Sequence, residues 1–314
     1  MEPVRRAVID VGTNSIKLLI ADVIGREVKP LVEESHQTRL GQGFYQTHRL
    51  QPEAIATTAR AVGRFAAKAR EHQASSIRII ATSAARDATN ADALNAAIEQ
   101  ASGLQMEVIS GDQEADWAFR GVTSASELAR GPLLLLDVGG GSTEFILGHG
   151  GHKRFSASFP LGTVRLLEAI PHSDPPQERE LAACRDWLRD FLQAQVKPQL
   201  EPALRAEAAA VQLVGTGGTT SLLARMEAKL DTFDRTIIEA TRFTLADIQR
   251  HARELWALPL EQRRQITGLP KNRADVILTG VLIYEQVMEQ FGFASLNIST
   301  RGLRFAVVMD GGDR

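Results

Sequence analysis

Leu133 to Leu147 reads LLLLDVGGGSTEFIL, and the fold of this stretch decides how the rest of the chain is read. Four consecutive leucines describe a strand buried on both faces. Asp137 closes it, Gly139, Gly140 and Gly141 form a turn, and Thr143 to Leu147 lead out as a second strand. The pattern predicts a β-hairpin with chemistry at its bend. Glycine suits a turn that needs positive φ or brings backbone N–H groups close to an anion, so the triplet reads as a phosphate cradle. Asp137 on one arm and Glu144 on the other set two carboxylates beside it, which suits a divalent cation bridging protein and phosphate. Taken alone, the same letters also describe an ordinary tight hairpin.

The stretch has a counterpart near the N-terminus. Ile9 to Ala21 reads IDVGTNSIKLLIA, and against LDVGGGSTEFILG at Leu136 to Gly148 it repeats Asp, Val, Gly and Ser at the same offsets, 137 − 10 = 127 residues apart. Lys17 stands at the position equivalent to Glu144. Two apolar strands each ending in Asp-Val-Gly, each followed by a polar turn and another apolar strand, predict a duplicated unit whose two loops face one another.

Composition bounds the reading. The chain has 314 residues, 44% hydrophobic and 24% charged, enough for two cores, and two domains are the default. Lys and Arg number 36 against 38 Asp and Glu, a formal charge of −2, which excludes a generally basic nucleic-acid coat. Trp117, Trp187 and Trp256 lie in helical patterns and read as core or interface, so no aromatic-basic surface for nucleic acid is expected. The seven histidines show no metal-ligand spacing. One cysteine, Cys184, excludes an internal disulfide and reads as a buried thiol in a reducing compartment. No secretory apolar segment precedes Arg5-Arg6 and no apolar run reaches the ~20 residues of a membrane span, so the expected location is the cytoplasm, away from membranes.

Strands alternate with helices along the whole chain, which argues for an α/β architecture. In the first half, Pro52 starts a helix running to about Gln73, Ser76 to Ala81 is a strand whose exit delivers Arg86, and Gly111 opens a helix through Gly121. In the second half, Pro176 to Gln195 reads as one long amphipathic helix. Val211 to Val214 is a strand followed by Gly215-Thr216-Gly217-Gly218-Thr219-Thr220, with a helix from about Ser221. A glycine-rich strand-to-helix turn offers unpaired N–H groups and a positive dipole end, hence a second anion cradle, although it is neither a Walker loop nor a full dinucleotide fingerprint. Thr244-x-x-Asp247 predicts a capped helix to Ala257, Arg273 to Gln290 is a long helix, and Gly302 to Met309 a closing one. The expected domains are residues 1–124 and 125–299, with a C-terminal helix at about 300–314 packing back on the first. Only Gly311 to Arg314 read as disordered.

These motifs together carry a resemblance. DVGTNSIKLLI at Asp10, ATSAARDATN at Ala81, ISGDQEADWAFRGV at Ile109, LDVGGGSTEF at Leu136, FPLGTVRLLE at Phe159, VGTGGTTSLLA at Val214 and ITGLPKNRADVILTG at Ile266 resemble the exopolyphosphatase and guanosine pentaphosphate phosphohydrolase (Ppx/GppA) family, in its order and spacing, from about residue 4 to residue 305. The resemblance implies two ribonuclease-H-like domains of the actin-like ATPase and sugar-kinase superfamily enclosing an interdomain cleft.

It also implies roles. Hydrolysis of a terminal phosphoanhydride needs a water aimed in line at phosphorus, a cation on the non-bridging oxygens and donors around the transferred group. Glu114 matches the family's catalytic glutamate; without that match it reads as a solvated acid in a first helical turn. Asp137 and Glu144, with Asp10 as a third, match carboxylates that hold Mg²⁺ or Mn²⁺. Arg86 matches the arginine that holds the terminal phosphate, and a surface salt bridge is its alternative. Asn14, Ser15, Lys17, Gly139, Gly140, Gly141, Ser142, Thr143, Gly215, Gly217, Gly218 and Thr219 are the remaining candidates for phosphate contact. Two departures stand out: Gln113 where the family often has a second Glu, and Phe305-Ala306 where it commonly has Glu-Gly.

The expected activity is therefore release of orthophosphate from inorganic polyphosphate, with hydrolysis of pppGpp to ppGpp as the alternative. A phosphotransferase of the same superfamily and a non-catalytic sensor of polyphosphate or alarmone are further readings. Longer family members carry an additional C-terminal helical region that this sequence lacks, so shorter polymers and weak processivity are expected. Oligomeric state stays open, and a homodimer is compatible with the sequence.

Overall fold

The structure, a computed structural model, describes residues 2–125 and 127–310. The expectation of disorder at Gly311 to Arg314 lies outside the described residues. The chain divides into two compact units: among the described residues, unit 1 takes 2–125, 139–141 and 301–310, and unit 2 takes 127–138 and 142–300.

Unit 1 starts with β1 (Val4–Val11), β2 (Ser15–Ile24) and β3 (Glu27–Gln37), a meander in which β1 pairs antiparallel with β2 and β2 with β3. Ala7 to Val11 and Leu18 to Ala21 are buried without alternation, as expected of strands covered on both faces. After the short α1 (Phe44–Thr47), α2 (Pro52–Glu71) begins on a proline, whose missing N–H is not needed in a first turn. Its buried positions Ile55, Ala59, Val62, Ala66 and Ala69 recur every three or four residues and face the sheet. Then come β4 (Ser76–Ala81), α3 (Ser83–Asp87), α4 (Ala91–Ser102), β5 (Met106–Val108) and α5 (Gly111–Thr123). The sheet order is β3-β2-β1-β4-β5, with β4 parallel to both neighbours.

Unit 2 opens with β6 (Leu133–Val138), β7 (Thr143–His149) and β8 (His152–Phe159), another antiparallel meander, in which Leu133 to Leu136 are fully buried. It continues through α6 (Thr163–Ala169), α7 (Glu178–Phe191), α8 (Lys197–Arg205), β9 (Gln212–Thr216) and α9 (Gly218–Glu227). The remainder is α10 (Arg235–Ala240), β10 (Arg242–Thr244), α11 (Leu245–Trp256), α12 (Leu260–Arg263), α13 (Ile277–Phe291) and β11 (Ser295–Ile298). The sheet order is β10-β11-β9-β6-β7-β8. Where one helix was expected from Pro176 to Gln195, α7 runs through a π turn at Leu192–Val196 into α8, which tolerates Pro198 in its first turn. The predicted cap at Thr244 is present as a reciprocal pair with Asp247. Every residue of α13 from Ile277 to Met288 is buried, so this helix is the spine of the unit 2 core. Cys184 lies in that core, and burial pushes its thiol up to about 12, which makes it unreactive.

The internal repeat extends well beyond the two hairpins. β3-β2-β1-β4-β5 and β8-β7-β6-β9-β11 have the same order, the same antiparallel meander and the same parallel partners, β10 being the one strand added. The last described helix, α14 (Leu303–Asp310), belongs to unit 1. It packs along α5 so closely that a methyl on Gly121 would stand 2.1 Å from Gly302 O, and Arg6 Nη1 donates to Val308 O at 2.9 Å. Phe305 and Ala306 are fully buried here; the larger residues at this position serve the unit 1 core. No helix of the described residues is long and apolar enough to cross a membrane.

Candidate active site

In unit 1 the hairpin register places Asp10 directly opposite Lys17. Asp10 is 5% exposed, and burial pushes its carboxyl above the ordinary value, opposed by the charges of Lys17 and Arg304. Arg304 comes from α14, held by a hydrogen bond from Nη1 to Leu18 O at 2.8 Å. The turn between β1 and β2 carries Thr13 and Asn14 and leads into Ser15, the first residue of β2, all three buried. Asn14 Oδ1 accepts from Gln37 Nε2 at 2.9 Å, while its Nδ2 has no hydrogen-bond partner.

The parallel strands β4 and β5 end beside one another and deliver the second group. β4 exits through Thr82 into α3, and β5 exits through Ile109 and Ser110 into α5, where the Ser110 hydroxyl accepts from Gln113 N at 3.2 Å and caps the helix. Arg86 on α3 reaches across, donating from Nη1 to Ile109 O and to Glu114 Oε2, both at 3.1 Å. Glu114 is 7% exposed, so it is no solvated first-turn acid. With Nη1 engaged and Nε 3.7 Å from Asp87 Oδ1, Nη2 is the part of the Arg86 guanidinium left for a phosphate oxygen. Ser83, at the start of α3, is 3% exposed with an unpartnered Oγ. Buried donors without acceptors are what a site for an absent anion leaves behind.

Gly139, Gly140 and Gly141 group with unit 1. A methyl at Gly141 would stand 2.1 Å from the Tyr45 hydroxyl and 2.5 Å from Ser83 Oγ, and one at Gly140 would stand 3.0 Å from Thr13 Cβ. Only residues lacking a side chain fit this approach of backbone to hydroxyl groups. Thr13, Tyr45, Ser83 and Arg304 were not foreseen. Thr13 and Ser83 lay inside motifs already noted and Arg304 directly precedes Phe305-Ala306, whereas Tyr45 sits in a stretch with no pattern of its own.

In unit 2 Asp137 pairs across the hairpin with Glu144, the same register as Asp10 with Lys17. Directly opposed residues have Cβ atoms about 4.5–5.5 Å apart, so both carboxylates reach one cation. Glu144 is 1% exposed. Its Oε1 accepts from Ser142 Oγ and Ser158 Oγ, both at 2.8 Å, which fixes the rotamer. The Thr143 hydroxyl instead donates to Leu161 O and ties the hairpin to the chain beyond β8. Among the described residues no group of three or more His, Cys, Asp or Glu could hold a metal, so an all-protein cage is not formed. The Asp137–Glu144 pair does fit Mg²⁺ or Mn²⁺, which binds through one or two carboxylates and completes its shell with water and phosphate.

The second glycine-rich turn separates into distinct parts. Gly215 is inside β9, and a methyl there would lie 2.5 Å from Thr220 Cγ2 and 2.9 Å from the Tyr284 ring, so packing demands this glycine. Gly217 has φ +95°, and its bare Cα faces Asp137: a methyl would stand 3.0 Å from Oδ1. At Gly218, the first residue of α9, a methyl would meet nothing within 4 Å. Open space beside the amides of a first helical turn is where an anion fits. Thr219 turns the other way, its Oγ1 lying 2.5 Å from where a methyl on Gly280 of α13 would be. Tyr284 backs the arrangement, with its hydroxyl 3.3 Å from Leu136 O and 3.2 Å from Thr216 O. Burial and then the charge of Asp137 push its phenol well above the ordinary value, so it stays a neutral donor joining β6 to β9.

Known proteins resemble this chain over nearly its whole length. The Ppx/GppA phosphatase family matches residues 19–312. Exopolyphosphatase 2 of Mycobacterium tuberculosis is 37% identical over 314 residues, 94% of this chain and 94% of that protein. The guanosine-5'-triphosphate,3'-diphosphate pyrophosphatase of Vibrio cholerae is 29% identical over 97% of this chain, which spans 58% of its length. Among solved structures, an exopolyphosphatase from Cytophaga hutchinsonii superposes with a TM-score of 0.87 at 29% identity, covering 98% of each chain. With its two mixed sheets of the actin-like ATPase type and a match over nearly its whole length, this chain belongs to the Ppx/GppA phosphatase family.

Proposed function

We propose that this protein hydrolyses the terminal phosphoanhydride of inorganic polyphosphate in the cytoplasm and releases orthophosphate. The observation that carries the proposal is the buried Glu114 carboxylate, fixed by Arg86 where β4 and β5 end. A carboxylate held in one orientation and shielded from bulk water suits aiming a water at phosphorus and taking its proton. Nη2 of the same arginine would grip the terminal phosphoryl group, so one guanidinium sets both the nucleophile's base and the electrophile. Asn14 Nδ2 and Ser83 Oγ would supply further donors to phosphate oxygens. In unit 2, Asp137 and Glu144 would hold Mg²⁺ or Mn²⁺, which when bound neutralises charge on the non-bridging oxygens. Gly217 and Gly218 would leave the N-terminus of α9 open to another phosphate.

The relative named exopolyphosphatase supports polyphosphate as the substrate, and the Vibrio relative keeps pppGpp as the second reading. A pure sensor needs the donors but not a shielded base, so the Glu114 arrangement favours an enzyme. The test is orthophosphate release from inorganic polyphosphate and from pppGpp at equal concentration, with ADP and glucose as trial acceptors. Polyphosphate is expected to have the higher kcat/KM, with all phosphate recovered as orthophosphate. A higher kcat/KM for pppGpp would reassign the substrate, and ATP or sugar phosphate formation would reassign the reaction.

A further inference from the structure

Away from the residues above, unit 1 has a surface cavity of about 560 Å³ lined by His36, Thr57, Arg60, Gly63, Arg64 and Ala101. Its floor is fixed by packing: α2 meets α4 so closely that a methyl on Gly63 would stand 2.7 Å from Ala101 O. Its walls are basic. Arg60 and Arg64 are exposed, stand one turn apart on α2, and neither forms an ion pair with a carboxylate among the described residues. Arg60 Nη2 donates only to Thr57 Oγ1, at 3.0 Å.

Like charges four residues apart on a helix repel each other. The next residue in that row, Lys68, pairs with Glu34. Glu34 is two residues before His36 on β3 and shares its face of the strand, so the nearest carboxylate on that face is already neutralised. Among the described residues the cavity is thus lined by two guanidinium groups and an imidazole and by no carboxylate. That arrangement binds an anion with several charges and several acceptor oxygens.

We propose that this cavity is an auxiliary oligophosphate site that holds the part of a polyphosphate chain remote from its reacting end. The proposal rests on the polyphosphatase reading for the identity of the anion. His36 pairs in register with Ile16, and the next residue, Gln37, pairs with Ser15 and holds the Asn14 carboxamide of the β1–β2 turn. His36 and Gln37 lie on opposite faces of β3, the edge strand of its sheet, so a chain passing round that edge runs from the cavity to a group expected to contact phosphate. A longer polymer would engage both, while a triphosphate would engage one at a time.

The test compares wild type with Arg60→Gln/Arg64→Gln, using tripolyphosphate and a polyphosphate of some tens of residues, by calorimetric titration and by steady-state phosphate release. The ratio of kcat/KM on the long chain to that on tripolyphosphate is expected to fall about tenfold in the double variant, through KM. The salt dependence of long-chain binding should weaken by about one log unit per arginine removed. Arg60→Lys/Arg64→Lys, which keeps the charge and loses the fork, should fall between the two. The double variant should melt no lower than wild type, because a repulsive pair has been removed.

An unchanged long-to-short ratio with unchanged long-chain affinity would overturn the proposal. If tripolyphosphate binds twice per wild-type protomer and once per variant while the long-chain ratio is unchanged, the cavity serves a separate small effector and the polymer-tail assignment is overturned. Failure of wild type to release phosphate from either polymer would overturn the activity reading, while loss of long-chain binding in the variant would still support the cavity.

Discussion

Arg86 Nη1 stands 3.1 Å from Glu114 Oε2, joining α3 to the first turn of α5 across the ends of two parallel strands. The pair is asymmetric: the arginine side chain is 24% exposed and the glutamate side chain 9%. Arg86 is thus a counter-charge for a more deeply buried Glu114, while its Nε also stands 3.7 Å from Asp87 Oδ1. On the proposed reading, a residue in this position would both orient the base and present a positive group to the substrate.

Removing the arginine should harm stability and catalysis together. Arg86→Ala takes a charged hydrogen bond from a buried carboxylate, and denaturant titration should show a loss of about 1–3 kcal/mol. Arg86→Lys restores the charge but not the fork. It should recover most of the stability while kcat/KM for phosphate release stays at least tenfold down.

The two glycines that open α9 should respond differently to the same substitution. Gly217 occupies a backbone region essentially reserved for glycine, and a methyl there also meets Asp137 Oδ1 at 3.0 Å. Gly217→Ala should lower the melting temperature, at about 1–3 kcal/mol of strain, and raise the Mg²⁺ concentration needed for half-maximal activity. Gly218→Ala has open space and a helical position, so the melting temperature should hold while KM for substrate rises, because the added methyl stands where a phosphate would approach the amides.

Asp10 makes a prediction about pH. Its folded-state pKa is raised, chiefly by burial, so between the ordinary carboxylate value and the raised one the native state binds more protons than the unfolded state. Stability then falls as pH rises through that window. Asp10→Asn should match wild type at pH below about 4 and become the more stable of the two as pH rises above it, in urea melts across the range. Activity should fall in the same variant, a trade of stability for function.

Metal dependence divides the acids. Chelation of divalent cations should abolish phosphate release, and Asp137→Asn should raise the Mg²⁺ requirement by an order of magnitude or more. Ser158→Ala removes a hydroxyl that donates to Glu144 Oε1 at 2.8 Å and touches no substrate. It should raise the same requirement by about tenfold, since groups that orient a ligand carry about 10–100-fold in affinity. Titration of activity against Mg²⁺ measures both.

Much of this was legible from the letters, for definite physical reasons. Asp-Val-Gly at the end of an apolar strand marks a strand-to-turn junction, and its recurrence exposed the duplicated meander that β1 to β3 and β6 to β8 form. What local pattern could not supply was partnership across the fold. Ser-Gly-Asp-Gln-Glu at Ser110 looks the same whether Glu114 is solvated or buried, and the difference comes from Arg86, 28 residues earlier. Arg304 faces Asp10 only because α14 returns to unit 1. Gly215 and Gly217 are two residues apart in one glycine-rich run, yet one is required by the Tyr284 ring and the other by a positive φ. The break between α7 and α8 was missed because a π turn keeps the apolar spacing that a single long helix shows.

Single-turnover phosphate release from inorganic polyphosphate by Glu114→Gln, with substrate affinity measured in parallel, decides whether Glu114 does the chemistry. The substitution keeps shape and a hydrogen bond to Arg86 but cannot accept the proton of water. Release should slow by about 10²- to 10⁴-fold with affinity within a few-fold of wild type. A variant that turns over at the wild-type rate would show that the base lies elsewhere.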